Sequence, residues 1–121
     1  MDRDLKVRTK DFAFRIINLF RSLPKTTEAQ VVGKQILRSG TSVGAQYRES
    51  QYAKSDLDLI SKIQGSLQEL EETMYWLDLI EEMEIFDPKK LGAIKQETGE
   101  LTAIFITIAK KVKARINNPI S

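Results

Sequence analysis

Between Ser55 and Met83 the apolar residues fall at Leu57, Ile60, Ile63, Leu67, Leu70, Met74 and Leu77, in steps of 3, 3, 4, 3, 4 and 3. After Leu57 this is a heptad seam, not the alternation of a strand. Ser55 followed three residues later by Asp58 has the shape of a capping box, so the start of the helix is signalled as well as its period. A helix of that extent is roughly 40 Å long. It cannot bury its seam alone and needs partners of matching length.

The remaining pattern supplies three. Phe12, Ile16, Leu19 and Leu23 line one stripe, widened by Ala13, Ile17 and Phe20, and Pro24 ends it. Thr26 or Thr27 then caps a second helix, with Glu28 in its first turn where the dipole favours an acid. Ala29, Val32, Ile36, Val43 and Tyr47 give that helix its face. Its middle, Arg38-Ser39-Gly40-Thr41-Ser42-Val43-Gly44-Ala45, is poor helix by propensity, each glycine costing about 1 kcal/mol against alanine. The run is either a loop that splits the chain or a helix in which Gly40 and Gly44 form a flat surface for close packing. The continuity of Val32, Ile36, Val43 and Tyr47 favours the helix. Asp87-Pro88 marks the fourth start, aspartate at the cap and proline at the first position. Leu91, Ile94, Thr98, Leu101, Phe105, Ile108 and Val112 follow in heptad steps.

Helices over about 4–23, 27–51, 56–84 and 88–116, joined by short turns, predict a single all-α domain spanning residues 1–121. Its expected architecture is a left-handed, antiparallel, up-down-up-down four-helix bundle. The fourth helix is apolar nearly all round, and Trp76, Leu79, Ile80 and Met83 flank the seam of the third. One stripe suffices for a surface helix of a monomer. The surplus, with Ile104 and Ile106 on the fourth helix, predicts an interface between copies, although scattered exposed apolar residues are normal in any monomer.

Composition changes this picture mainly through charge. The net charge is +2, yet residues 1–54 carry +6, residues 55–100 carry −8 and residues 101–121 carry +4. An up-down bundle gathers the start of the first helix, the turn between the second and third, and the end of the fourth at one end. That end collects Arg3, Lys6, Arg8, Lys10, Arg48, Lys54, Lys110, Lys111, Lys113 and Arg115. Concentrated positive charge is the footprint of a nucleic-acid site working through phosphates, and Tyr47 and Tyr52 near the same turn could stack on bases. The plainer account is a solvated helix end whose lysines complement the dipole of the fourth helix.

Little else in the chain carries chemistry. Cysteine and histidine are both absent, which removes disulfides, thiolate nucleophiles and the commonest metal ligand. Glu69 with Glu72, and Glu97 with Glu100, are spaced like carboxylates of di-iron bundles, but those sites complete the set with histidine. Solvated faces, or pairing with Arg38, Arg48 and Lys62, account for them more simply. Gly40–Gly44 neither follows a strand nor precedes Lys-Ser/Thr as a phosphate loop does. The expectation is a protein with no catalytic residues, no cofactor and no bound metal. Without a signal-peptide run or a membrane-length apolar segment, a reducing bacterial cytoplasm is the expected location.

The run Arg38-Ser39-Gly40-Thr41-Ser42-Val43-Gly44-Ala45-Gln46-Tyr47-Arg48-Glu49 and the block from Asp56 through Leu79, especially Leu67-Gln68-Glu69-Leu70-Glu71-Glu72-Thr73-Met74-Tyr75-Trp76-Leu77, resemble a bacterial family. Its members are small four-helix bundles encoded in intervening sequences of 23S ribosomal RNA genes. The resemblance covers nearly the whole chain, with Gln46 standing where the family usually has asparagine. It implies a homopentamer with a central channel. It also implies kinship to the accessory protein of diversity-generating retroelements, a basic bundle that binds nucleic acid and a reverse transcriptase. RNA or DNA, a polymerase-like protein and further copies of the chain are therefore the expected partners. Within the matching blocks Arg38, Arg48, Glu49, Glu69, Glu72 and Thr73 stand out as a polar network pinning the second helix to the third.

Overall fold

The computed structural model describes residues 2–118, with side chains described from Leu5 onward. Four helices follow one another: α1 (Asp2–Arg21), α2 (Thr27–Ser50), α3 (Asp56–Glu82) and α4 (Pro88–Asn117). No strand occurs among the described residues. The starts of α2, α3 and α4 are each capped by the side chain the sequence offers. Thr26 accepts from the Ala29 N–H, Ser55 from the Asp58 N–H, and Asp87 from the Lys89 N–H. The capping box at Ser55 is displaced by one residue on its return side, where Asp58 Oδ2 accepts from the Lys54 N–H at 3.1 Å.

α1 packs on α2, α2 on α3 and α3 on α4, while α1 and α4 touch only lightly. Side-chain pairs fix the directions. Lys62 meets Glu49 and Ser66 meets Val43, so α2 and α3 are antiparallel. Lys95, early in α4, bridges to Asp78 and Glu81 late in α3, and Arg115 at the other end of α4 reaches back to Asp56. The core between the helices is built from Phe12, Ile16, Leu19, Ile36, Val43, Tyr47, Ile63, Leu70, Leu77, Leu101 and Phe105.

α2 runs unbroken through Gly40–Gly44. The propensity deficit is overridden by packing. Thr41 Oγ1 donates to Leu37 O and Ser42 Oγ to Arg38 O, both at 2.7 Å, which satisfies the hydroxyls within the helix without stabilising it. The glycines, meanwhile, admit α1. A Cβ on Gly40 would stand 2.7 Å from Ile16 Cγ1, and one on Gly44 would stand 3.0 Å from Thr9 Oγ1. The flat surface expected from the sequence is real, and α1 is what lies on it.

The seam of α3 differs from the one its apolar letters suggest. Its buried positions are Ile63, Ser66, Leu70, Thr73, Leu77 and Ile80, while Leu67 and Met74 are half-buried and Leu57 is exposed. Small hydroxylated residues face α2 because the two helices run close there. Ser66 Oγ donates to Val43 O at 3.0 Å, and the Ser39 and Thr73 hydroxyls lie 2.8 Å apart with Thr73 also donating to Glu69 O. Satisfied in this way, a buried hydroxyl costs little. In α4 only one position moves: Ala109 is buried and Ile108 half-buried. Between α3 and α4, Glu84 adopts φ 56°, a left-handed conformation that usually falls to glycine.

Candidate nucleic-acid interface

The light contact between α1 and α4 shapes one end of the molecule. Arg8 meets α4 at Glu97 and Glu100, and α4 continues for about five turns past that bridge. There α4, the start of α3, the α2–α3 turn and the first turns of α1 surround a cavity of about 900 Å³. Arg8, Lys54, Lys111 and Arg115 all line it, so the chain segments predicted to share an end do converge.

The ten cations expected there are not equivalent. Arg8 is held in a fork, its Nε 2.8 Å from Glu97 Oε2 and its Nη2 2.8 Å from Glu97 Oε1 and 2.5 Å from Glu100 Oε1. That hydrogen bonding, led by Glu97, raises the guanidinium above its ordinary pKa. Gln96 and then Arg8 hold the Glu100 carboxyl below the usual carboxylate range. Arg115 is likewise occupied, 2.8 Å from Asp56 Oδ1, and its hydrogen bond lowers the Asp56 carboxyl. Arg3 lies in the opening turn of α1, outside the described side chains. The remaining Lys6, Lys10, Arg48, Lys54, Lys110, Lys111 and Lys113 are all exposed, and none makes an ion pair among the described residues. Of the two tyrosines, Tyr47 is buried edge-on to Phe105 with ring centroids 5.7 Å apart and offers no face to a base. Tyr52, at the α2–α3 turn, is 85% exposed.

The polar network expected between α2 and α3 is narrower than its six residues. Arg38 pairs with Glu72 and, at 3.4 Å, with Glu69. Gln46 Nε2 donates to Glu69 at 3.3 Å, Trp76 Nε1 donates to Glu72 at 3.4 Å, and Thr73 joins through the Glu69 carbonyl. Arg48 and Glu49 fall outside it: Arg48 faces solvent, and Glu49 bridges to Lys62 at 2.8 Å. The cluster lies at the surface seam of the two helices rather than inside the bundle, since the Arg38 side chain is half exposed. Sequence reasoning noticed both i, i+3 carboxylate pairs yet missed that Glu97 and Glu100 clasp Arg8. The available signal was their likeness to Glu69 and Glu72, which clasp an arginine from another helix in the same manner. No group of three or more acids stands close enough to hold a metal among the described residues.

The expected interface residues divide. Ile80 is completely buried within its own chain and cannot contact a second copy. Trp76, Leu79, Met83 and Ile104 are half-buried, and Ile106 is exposed. Further open apolar side chains that the pattern did not single out are Val7, Phe14 and Val31. No helix among the described residues is long and apolar enough to cross a membrane.

Against known proteins, a family model described as 23S rRNA-intervening sequence protein matches residues 2–107. No curated protein matches the chain. One solved structure, from Bacteroides thetaiotaomicron and described as a protein with unknown function from the S23 ribosomal protein family, superposes with a TM-score of 0.84. It is 38% identical, over 90% of this chain and 97% of its own.

Proposed function

The chain belongs to the 23S rRNA-intervening sequence protein family, and from that premise we propose that it is a non-catalytic, self-associating bundle that holds RNA against its basic end. The observation that carries this reading is the set of seven exposed cations at that end that make no ion pair among the described residues. An ion pair satisfies Arg8 and Arg115, but among the described residues no acid pairs with Lys110, Lys111 and Lys113 of α4 or with Lys54 at the turn. Phosphates are the partners such a group draws, through counterion release that requires no defined base sequence. Tyr52 adds an exposed ring beside the same turn, suited to stacking on an unpaired base.

Self-association is supported by the apolar side chains left open, Phe14 and Ile106 among them. Copies arranged in parallel about a common axis would add their basic ends into one field. Light scattering measures this directly: five times the 13.8 kDa chain mass is expected, and a monomer at micromolar concentration would exclude it.

The nucleic-acid reading is tested by binding isotherms on structured RNA across a salt series. Affinity should fall linearly in log–log form, by about 0.7–0.9 in slope for each phosphate neutralised. Replacing Lys110, Lys111 and Lys113 with glutamine should weaken binding and flatten the slope by roughly two units if all three touch phosphates. Binding that is absent at low salt, or indifferent to salt, refutes it.

A further inference from the structure

The cavity at the basic end has a chemistry that a polyanion leaves unused. Its walls are aliphatic: Leu59 and Ile63 from α3, Ile104, Ile108 and Val112 from α4. Among the described residues the one ring that borders it, Tyr47, is buried against Phe105, so they offer the cavity no open aromatic face for a base. Its mouth is cationic. Lys54 and Lys111 stand there exposed and without an ion pair, and the sole acid on the lining among the described residues, Asp56, is held by Arg115.

We propose that this cavity binds a single-chain amphiphilic anion, an alkyl carboxylate, with its chain among the isoleucines and its carboxylate between Lys54 and Lys111. Lysines alone would accept any anion; the aliphatic walls select one that carries a hydrocarbon chain. The α4 wall from Ile104 to Arg115 rises about 16 Å, room for an extended chain. The volume lies within the range of about 300–1,000 Å³ typical of small-molecule sites. A carboxylate facing ammonium groups makes charge-assisted hydrogen bonds, while each methylene removed from water strengthens binding by up to about fourfold. The inference stands apart from nucleic-acid binding. The two would share Lys54 and Lys111, so an occupied cavity competes with phosphates at its mouth and acts as a negative regulator.

The test is calorimetric titration of the whole chain, free of nucleic acid, with octanoate, decanoate and dodecanoate below their micelle concentrations. Saturable binding is expected, tightening with every added methylene toward the fourfold limit. Lys54→Gln combined with Lys111→Gln should weaken dodecanoate by about threefold, the effect of exposed pairs, and leave dodecanol unaffected. Methyl NMR on the unaltered protein locates the ligand without depending on any variant: Ile63, Ile104 and Ile108 should shift, while Ile16 and Ile36 should not. No saturable binding, an affinity indifferent to chain length, or shifts centred elsewhere would overturn the proposal. Dodecanoate binding by a protein that ignores RNA would sustain this inference and defeat the polyanion reading, so the two failures are separable.

Discussion

Gly40→Ala sets helix propensity against packing. In an open helical position the change stabilises by about 1 kcal/mol, because alanine has less backbone freedom to lose than glycine. At Gly40 the new methyl would stand 2.7 Å from Ile16 Cγ1 and 2.9 Å from Ile16 Cγ2. Ile16 is fully buried, and a β-branched side chain has little freedom to swing aside. Overpacking of that kind costs about 1–3 kcal/mol. Set against the propensity gain, the net effect is a loss of about 1 kcal/mol. Gly92→Ala provides the matched reference, since a Cβ at that exposed position in α4 meets nothing within 4 Å. It should stabilise by about 1 kcal/mol. Urea unfolding at one fixed protein concentration should separate the two variants by about 2 kcal/mol, with Gly40→Ala below the parent and the m-value unchanged. If Gly40→Ala resists urea as well as Gly92→Ala does, α1 does not press on α2 at that point and the packing argument fails.

Glu84→Gly relieves the left-handed residue between α3 and α4 and should stabilise by about 1 kcal/mol, raising the thermal midpoint by about 4 °C; an unchanged midpoint would contradict it. Thr73→Val removes a buried hydroxyl and leaves Ser39 with only a 3.4 Å contact to Ile36 O, so a loss of about 1–2 kcal/mol is expected, partly recovered by adding Ser39→Ala. Arg8→Met leaves Glu97 and Glu100 facing each other without their cation and should destabilise by about 1 kcal/mol, more at low ionic strength than at high, as salt-dependent melting would reveal. Glu100 and Asp56 have folded-state pKa values below their unfolded ones, so their stabilisation is present above the unfolded value and is lost as pH falls through the folded one. Urea midpoints should therefore decline on acidification below the ordinary carboxylate range, and Glu100→Gln with Asp56→Asn should decline less steeply than the parent.

Where burial follows apolar letters, the sequence was legible. Leu91 through Val112 could be read off as the α4 seam with one exchange, Ala109 for Ile108. The same rule failed in α3, because Ser66 and Thr73 look polar in a pattern and only the nearness of α2 gives their hydroxyls partners. Gly40 and Gly44 could be recognised as a packing surface, but not the helix that uses it, since the spacing describes one side of a contact. Charge was readable as a regional excess and not as individual pairings. Arg8 and Lys6 look alike in the sequence, yet only Arg8 falls within reach of Glu97 and Glu100. The cavity had no signature at all, because its lining is drawn from separate stretches of chain that only the folded bundle brings together.

That each helix rests mainly on its neighbour in sequence, with the first and last joined by little more than an ionic clasp, bears on how the chain comes to fold. Contacts made between successive hairpin arms close only short loops, so little chain entropy has to be surrendered before contact energy is gained. The topology is one that can assemble progressively behind a ribosome, α1 settling on α2 before α4 has been synthesised, and a stopped-flow record should contain a rapid, concentration-independent exponential for bundle formation ahead of any association between copies.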